Sequence, residues 1–321
     1  MQVISRLRAP VWKFLSFSLK PLALFVGVAW MVQPSPAGMP ADVGDQPPIS
    51  VRSNLVVLPV NVTDGQGNFI ADLGKDNFRV YEEKRAQTLT LFQQGDSPVS
   101  VGLLVDHSGS MEPKLANVVT AVTAFAHSGN PEDEMFVVDF NDSAVVESVG
   151  EKPFTSDAVD LEKAITAISA RGRTALYDAV AQGLGHLQLA HQQKKALIII
   201  SDGGDNGSRY DYAQILAYAR ESQVVIYSIG LLDESGKEEN PKILKQLSKD
   251  TGGLSFFPES SESVLKASVR IAKDLREQYV LGFVPEAPST SSFRKIQVSV
   301  IAPQRGALHV RTRPGYYSSP N

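Results

Sequence analysis

Two uninterrupted apolar runs, Val101-Gly102-Leu103-Leu104-Val105 and Ala196-Leu197-Ile198-Ile199-Ile200, lie in a region where stretches of helical spacing alternate with other short apolar runs. A run with no polar face belongs to a strand covered on both sides, as in a parallel sheet. The pattern around these runs predicts helices over 114–126, 156–169, 175–190, 211–221, 241–249 and 261–276. It predicts further strands over 134–140, 144–149, 224–229 and 254–257, with 144–149 an antiparallel edge. Such strand-helix alternation specifies a mainly parallel sheet with helices on both faces.

On either side of this region the period changes to that of β-structure. Residues 54–63 read as a strand whose Pro59 suits an edge, followed by the turn Asp64-Gly65-Gln66-Gly67-Asn68 and short strands at 78–82 and 89–92. The carboxyl end returns to strands over 278–284, 293–301 and 308–313. Neither β-rich flank, 50–97 or 278–317, is large enough for an independent core, whereas together they make a sandwich of ordinary size. They are therefore expected to pair, which makes 98–277 an insertion between two strands of one β domain.

The amino terminus adds an address. Residues 1–37 carry Arg6, Arg8, Lys13 and Lys20, no acid, an apolar stretch from Leu22 to Val32, and small residues before Ala37. This reads as a signal peptide, with 38–49 as a linker rich in Pro, Gly and Ala. The apolar stretch is about half the length of a spanning helix, so cleavage and a periplasmic or secreted product are expected. An uncleaved inner-membrane anchor is the alternative. Without residues 1–37 the chain holds 27 basic and 35 acidic residues, about -8. That balance argues against nucleic acid as a partner. There is no cysteine, which excludes disulfides, thiol catalysis and a lipid-modified cysteine.

Oxygen donors cluster where the two apolar runs end. The first run leads into Asp106-His107-Ser108-Gly109-Ser110 and the second into Ser201-Asp202-Gly203-Gly204-Asp205, while Thr174 lies in the glycine-bearing turn Arg171-Gly172-Arg173-Thr174. In open α/β sheets ligands bind beyond the carboxyl ends of the strands, where connections diverge. Asp106, Ser108, Ser110, Thr174 and Asp202 would give two carboxylates and three neutral hydroxyls, an all-oxygen set suited to Mg²⁺. With so few carboxylates, an ion held there stays electrophilic and attracts a further carboxylate. Alone, Asp-x-Ser-x-Ser also fits a helix cap.

These five residues, in this order, resemble the metal-ion-dependent adhesion site of von Willebrand factor A-type domains. The resemblance covers roughly 98–277. It implies an α/β, Rossmann-like doubly wound mainly parallel sheet, accompanied here by a second, smaller β-sandwich-like domain. It also implies Mg²⁺ or Mn²⁺ held by Asp106, Ser108, Ser110, Thr174 and Asp202, and a protein partner presenting an Asp or Glu carboxylate. The flanks, through Leu73-x-x-Asp76-x-Phe78-x-Val80-Tyr81-Glu82, Gln278-Tyr279-Val280-Leu281-Gly282-Phe283 and Gly315-Tyr316-Tyr317, are similar to bacterial exported proteins related to that family.

His107, Arg173, Asp205 and Tyr210 are candidates for the rim that meets the partner. Arg173 would repel a metal if it pointed inward and attract an acidic ligand if it pointed outward. Catalytic signatures are weak. His186 and His191 are five apart rather than four and lack the intervening glutamate of a zinc helix, and a hydrolase using Ser108 or Ser110 would need His107 as its base. The function expected is a non-enzymatic adhesion or interaction module with no membrane insertion after signal cleavage. A scaffold subunit of an envelope complex is the alternative, and a metal-assisted hydrolase a more remote one.

Overall fold

The computed structural model describes residues 55–147, 152–166, 169–233, 239–285 and 293–317. The expected signal peptide and linker lie outside the described residues. Four strands lead in: β1 (Val56–Asp64), β2 (Phe78–Glu82), β3 (Arg85–Gln87) and β4 (Leu89–Gln93). The central region runs β5 (Val99–Asp106), α1 (Leu115–His127), β6 (Glu134–Phe140), β7 (Ala144–Val146), α2 (Ala158–Thr166) and α3 (Leu176–His186). It continues through β8 (Lys194–Ser201), α4 (Tyr212–Ser222), β9 (Val225–Gly230), α5 (Pro241–Thr251), β10 (Ser255–Phe256) and α6 (Ser261–Arg276). The chain then forms β11 (Tyr279–Phe283), β12 (Phe293–Val300), β13 (Leu308–Arg311) and β14 (Gly315–Tyr317).

The central sheet has the order β10-β9-β8-β5-β6-β7, parallel except for β7. Its two continuous apolar runs are the adjacent strands β5 and β8, and successive residues divide between two cores, as the two-residue period of a strand requires. Val101, Leu103, Val105, Ile198 and Ile200 pack with Val118, Ile165 and Ile271 of α1, α2 and α6. Leu104, Leu197 and Ile199 pack on the other face with Leu176, Ile215 and Leu244 of α3, α4 and α5. Gly102 is the thin point, because a Cβ there would lie 2.5 Å from the Phe136 ring.

The β-rich flanks share two antiparallel sheets, β13-β1-β11-β4 and β14-β12-β2-β3. Val56, Leu58, Val60 and Val62 alternate into the core between them, joined by Phe78, Tyr279 and Phe283. Strand β4 enters the central region and β11 leaves it, and the two pair directly, Gln93 opposite Val280. The entry and exit points of the central region are thus neighbours in one sheet. Pro59 lies in β1, which has a strand on each side rather than being an edge. Its two neighbours use different halves, β11 along Val56–Val60 and β13 along Asn61–Asp64, so at Pro59 the missing N–H removes no second ladder bond.

Helix boundaries differ from expectation where local chemistry intervenes. Residues Gly109–Lys114 form a 3₁₀ turn holding Pro113, which has no N–H for an α-helical bond, so α1 starts at Leu115. Likewise α3 stops at His186 and a 3₁₀ turn covers Leu187–Leu189, instead of one helix through 190. Among the described residues, no helix is long and apolar enough to cross a membrane.

Candidate functional site

From β5 the chain goes to one side of the sheet, and from β8 to the other, so a crevice opens between their carboxyl ends. Asp106 is the last residue of β5, and Asp202 follows the last residue of β8. Both side chains are fully buried. Asp106 Oδ1 accepts the Ser108 N–H at 2.9 Å and Oδ2 accepts the Ser201 hydroxyl at 2.5 Å. Asp202 Oδ1 accepts the Gly204 N–H at 3.1 Å and Oδ2 accepts the Ser110 hydroxyl at 2.7 Å. The Ser108 and Ser110 Oγ atoms are 3.2 Å apart, which completes a line of oxygens from Ser108 to Asp202.

Thr174 is held against both loops by backbone bonds. The loop that carries it donates Arg171 N–H to His107 O at 2.8 Å and accepts Gly109 N–H on Gly172 O at 3.2 Å. Thr174 N–H donates to Asn206 Oδ1 at 2.9 Å, and its carbonyl accepts Asn206 and Gly207 N–H at 3.0 and 2.9 Å. The path of this loop needs Gly172, whose φ is +79° and whose Cβ would strike Asp142. Gly203 serves the third loop in the same way, with φ +84° and the Asn240 carbonyl 2.5 Å from a would-be Cβ. Three stretches far apart in sequence thus meet beyond the carboxyl ends of β5 and β8, the Thr174 loop joining through backbone bonds and the Asn206 side chain.

The electrostatics fit a cation. Burial, with a further contribution from the Asp202 charge, pushes the Asp106 carboxyl up to about 6. Two desolvated carboxylates among hydroxyls are the donors a hard divalent ion prefers, and an ion there would relieve their cost. Part of that role is filled by Lys114. Its ammonium, almost buried, lies 3.5 Å from Asp202 Oδ2, 3.2 Å from Asp233 Oδ2 and 3.1 Å from Glu239 Oε1. Burial acts to lower its pKa, but Glu239, Asp233 and Asp202 together outweigh it and the net shift is upward. Neither Lys114 nor Ser201 was a candidate in the sequence. Ser201 was visible only as the polar end of an apolar run, and Lys114 gave no signal because its partners lie as far as 125 positions away.

The rim candidates divide. Tyr210 is at the surface, 43% exposed. Arg173 points outward, with its Nε 3.2 Å from Asp142 Oδ1. His107, by contrast, is buried, its Nδ1 against Asp139 Oδ1, so it is not on the rim. It is fixed there by its backbone, whose N–H donates to Phe140 O at 2.8 Å and whose carbonyl accepts Arg171 N–H at 2.8 Å. Asp205 is also drawn in: it accepts the Ser208 hydroxyl at 2.5 Å and the Tyr177 N–H at 3.3 Å, holding the start of α3, and burial raises its pKa. The buried His107–Asp139 pair has the form of two members of a catalytic triad, but Ser108 Oγ faces Ser110 rather than the imidazole. His186 packs against Phe136 with tilted rings and meets Phe154 edge-on, and His191 pairs with Glu134.

The von Willebrand factor type A domain model matches residues 100–270, more than half of the chain, and the chain belongs to that family. A von Willebrand factor type A structure from Catenulispora acidiphila is similar at 14% identity, over 81% of this chain and 73% of that one, with a TM-score of 0.51. An aerotolerance-related membrane protein from Bacteroides fragilis matches at 19% identity over 55% of this chain and 98% of its own, with a TM-score of 0.45. The von Willebrand factor domain of a type V pili tip protein from Porphyromonas gingivalis matches at 13% identity over 56% and 95%, with a TM-score of 0.47. No curated protein sequence matches the chain. At 14% identity the likeness to the Catenulispora acidiphila structure speaks to the fold alone.

Proposed function

We propose that the chain is an exported, non-enzymatic protein-binding module that uses Mg²⁺ or Mn²⁺ to capture a carboxylate of a partner protein. The observation that supports this most is the meeting of Asp106, Ser108, Ser110 and Asp202 oxygens at the crevice between β5 and β8, with the Thr174 loop bonded to both sides. A bound ion would supply Lewis-acid attraction for an Asp or Glu side chain. The chain's own residues would hold the ion, and the exposed Tyr210 and Arg173 would meet the partner around it. Residues 1–37, basic and acid-free with an apolar stretch from Leu22 to Val32, support export, and the acidic balance of the remainder directs the search to protein partners rather than nucleic acid.

The test is calorimetric titration of Mn²⁺ into the parent chain and into an Asp106→Ala, Asp202→Ala double variant. Saturable binding by the parent alone is the expected result. Equal binding by both, or none by the parent, would sink the proposal. A metal-dependent partner found afterwards by crosslinking must lose capture when its acidic residue is changed to the amide.

A further inference from the structure

Away from the crevice, a cleft of about 650 Å³ opens between the carboxyl end of α5 and strands β12 and β13. Its size is that of a small-molecule site. Four of its lining residues are cationic, Lys245, Lys249, Arg311 and Arg313, and strand residues such as Ile296 and Val298 give it an apolar side. One acid, Asp250, also lines the cleft, and both it and the neighbouring Asp274 are already engaged. Asp250 pairs with Arg220 and accepts from Gln246, and Asp274 pairs with Arg311. Among the described residues no carboxylate pairs with Lys245, Lys249 or Arg313.

Arg313 is the unusual member. It is 5% exposed, and its only acceptors among the described residues are Val57 O at 2.8 Å and Gln223 Oε1 at 3.4 Å, both reached by Nη2. Its Nε and Nη1 have no acceptor. A guanidinium buried without a counter-charge is costly, and burial pushes its pKa down to about 10. Its guanidinium carbon lies 5.8 Å from the Tyr316 ring centroid, and its positive charge adds to the potential of the cleft that Arg313 lines. Lys245 and Lys249, both exposed, line the same cleft, with the Lys245 ammonium 4.9 Å from the Phe257 ring centroid.

We infer that this cleft binds an oxyanion, phosphate or carboxylate, carried on a compact apolar body. The charged group faces the basic side, where it supplies the counter-charge that Arg313 lacks, and the apolar body lies along Ile296 and Val298. The site is separate from the proposed metal crevice and does not depend on it.

The experiment titrates octyl phosphate and octanoate separately into the full chain by calorimetry, and the two arms tell the phosphate source from the carboxylate source. Saturable binding of at least one, with half-saturation at about 1 mM or below, is expected. The same titrations follow in Lys249→Glu, a surface change that leaves the core intact, and in Arg313→Gln. Weakening by about tenfold in a variant with an unchanged circular dichroism spectrum supports the site. No saturation by either probe, or equal binding in Lys249→Glu and the parent, overturns it; the surface variant therefore decides even if Arg313→Gln fails to fold.

Discussion

Ser201 Oγ donates to Asp106 Oδ2 at 2.5 Å and at the same time accepts the Gly203 N–H at 2.9 Å, so its hydroxyl proton has one direction to point. The last residue of β8 thereby orients the last carboxylate of β5. Ser201→Ala would leave that carboxylate and the Gly203 N–H each short of a partner in a buried place. We predict a loss of about 2 kcal/mol in urea unfolding, from the cost of unsatisfied buried polar groups. We also predict about tenfold weaker Mn²⁺ binding, typical of removing a group that orients a ligand. Unchanged metal affinity would show that this bond does not position Asp106.

Lys114 makes a prediction of opposite sign for stability and for metal. Its ammonium is a fixed positive charge 3.5 Å from Asp202 Oδ2, and it also binds Asp233 and Glu239. In Lys114→Gln the metal-free protein should lose stability, because three carboxylates lose the cation among them. Mn²⁺ affinity should rise by about tenfold or more, since a like charge at this range costs a bound ion over 1 kcal/mol even in a polar surrounding. Thermal melts without metal and calorimetry with it check the two halves. A fall in both would mean that Lys114 shapes the site rather than competing in it.

Much of the architecture was legible because burial leaves a period in the sequence. The runs at Val101 and Ala196 have no polar face and became adjacent central strands. The last helix spans Ser261–Arg276 as expected, since Ser260 caps it and accepts from Ser263 N–H. The strand β3, Arg85–Gln87, was not legible, being short and without a buried residue to mark a period. The five proposed ligands could be read from order and context. Their support could not: Asp139 beneath His107, Ser201 beneath Asp106 and Lys114 beside Asp202 are tertiary pairings across 32, 95 and 88 positions. No periodicity records such distances.

Lys194 provides a pH signature. It is buried at the start of β8 and donates to the carbonyls of Gly95, Leu275 and Arg276 at 3.3, 3.2 and 3.0 Å. Burial pushes its pKa from 10.5 down to about 8. Between these values the unfolded chain keeps a proton that the folded chain has released, so this group makes stability rise with pH. Below that window both states are protonated and its slope vanishes. Lys194→Met should lose stability at neutral pH, through three orphaned carbonyls, and should lack the rise, which amounts to about 2 kcal/mol between pH 8 and about 10. Parallel pH-stability curves for variant and parent would refute the assignment.

The last prediction concerns the joint between the central region and the β sandwich. Asp274, near the end of α6 and 1% exposed, accepts the Tyr227 hydroxyl at 2.6 Å and pairs with Arg311 of β13. Its backbone carbonyl accepts Asn61 Nδ2 of β1 at 2.7 Å, and Asn61 Oδ1 accepts Gln278 Nε2 at 2.9 Å. One residue of the α/β region thus contacts two strands of the sandwich. Arg311→Met would strand a carboxylate in the interior, a change that costs about 3–5 kcal/mol. Asp274→Asn in the same chain should restore much of that loss, because the amide carries no charge to compensate, and a double-mutant cycle isolates the pair. Because β4 and β11 enclose the central region while pairing with each other, the parent should unfold in one transition by far- and near-ultraviolet circular dichroism. Two separated transitions in the parent would mean that the shared strands and this buried pair do not couple the two parts, whatever the stability of each.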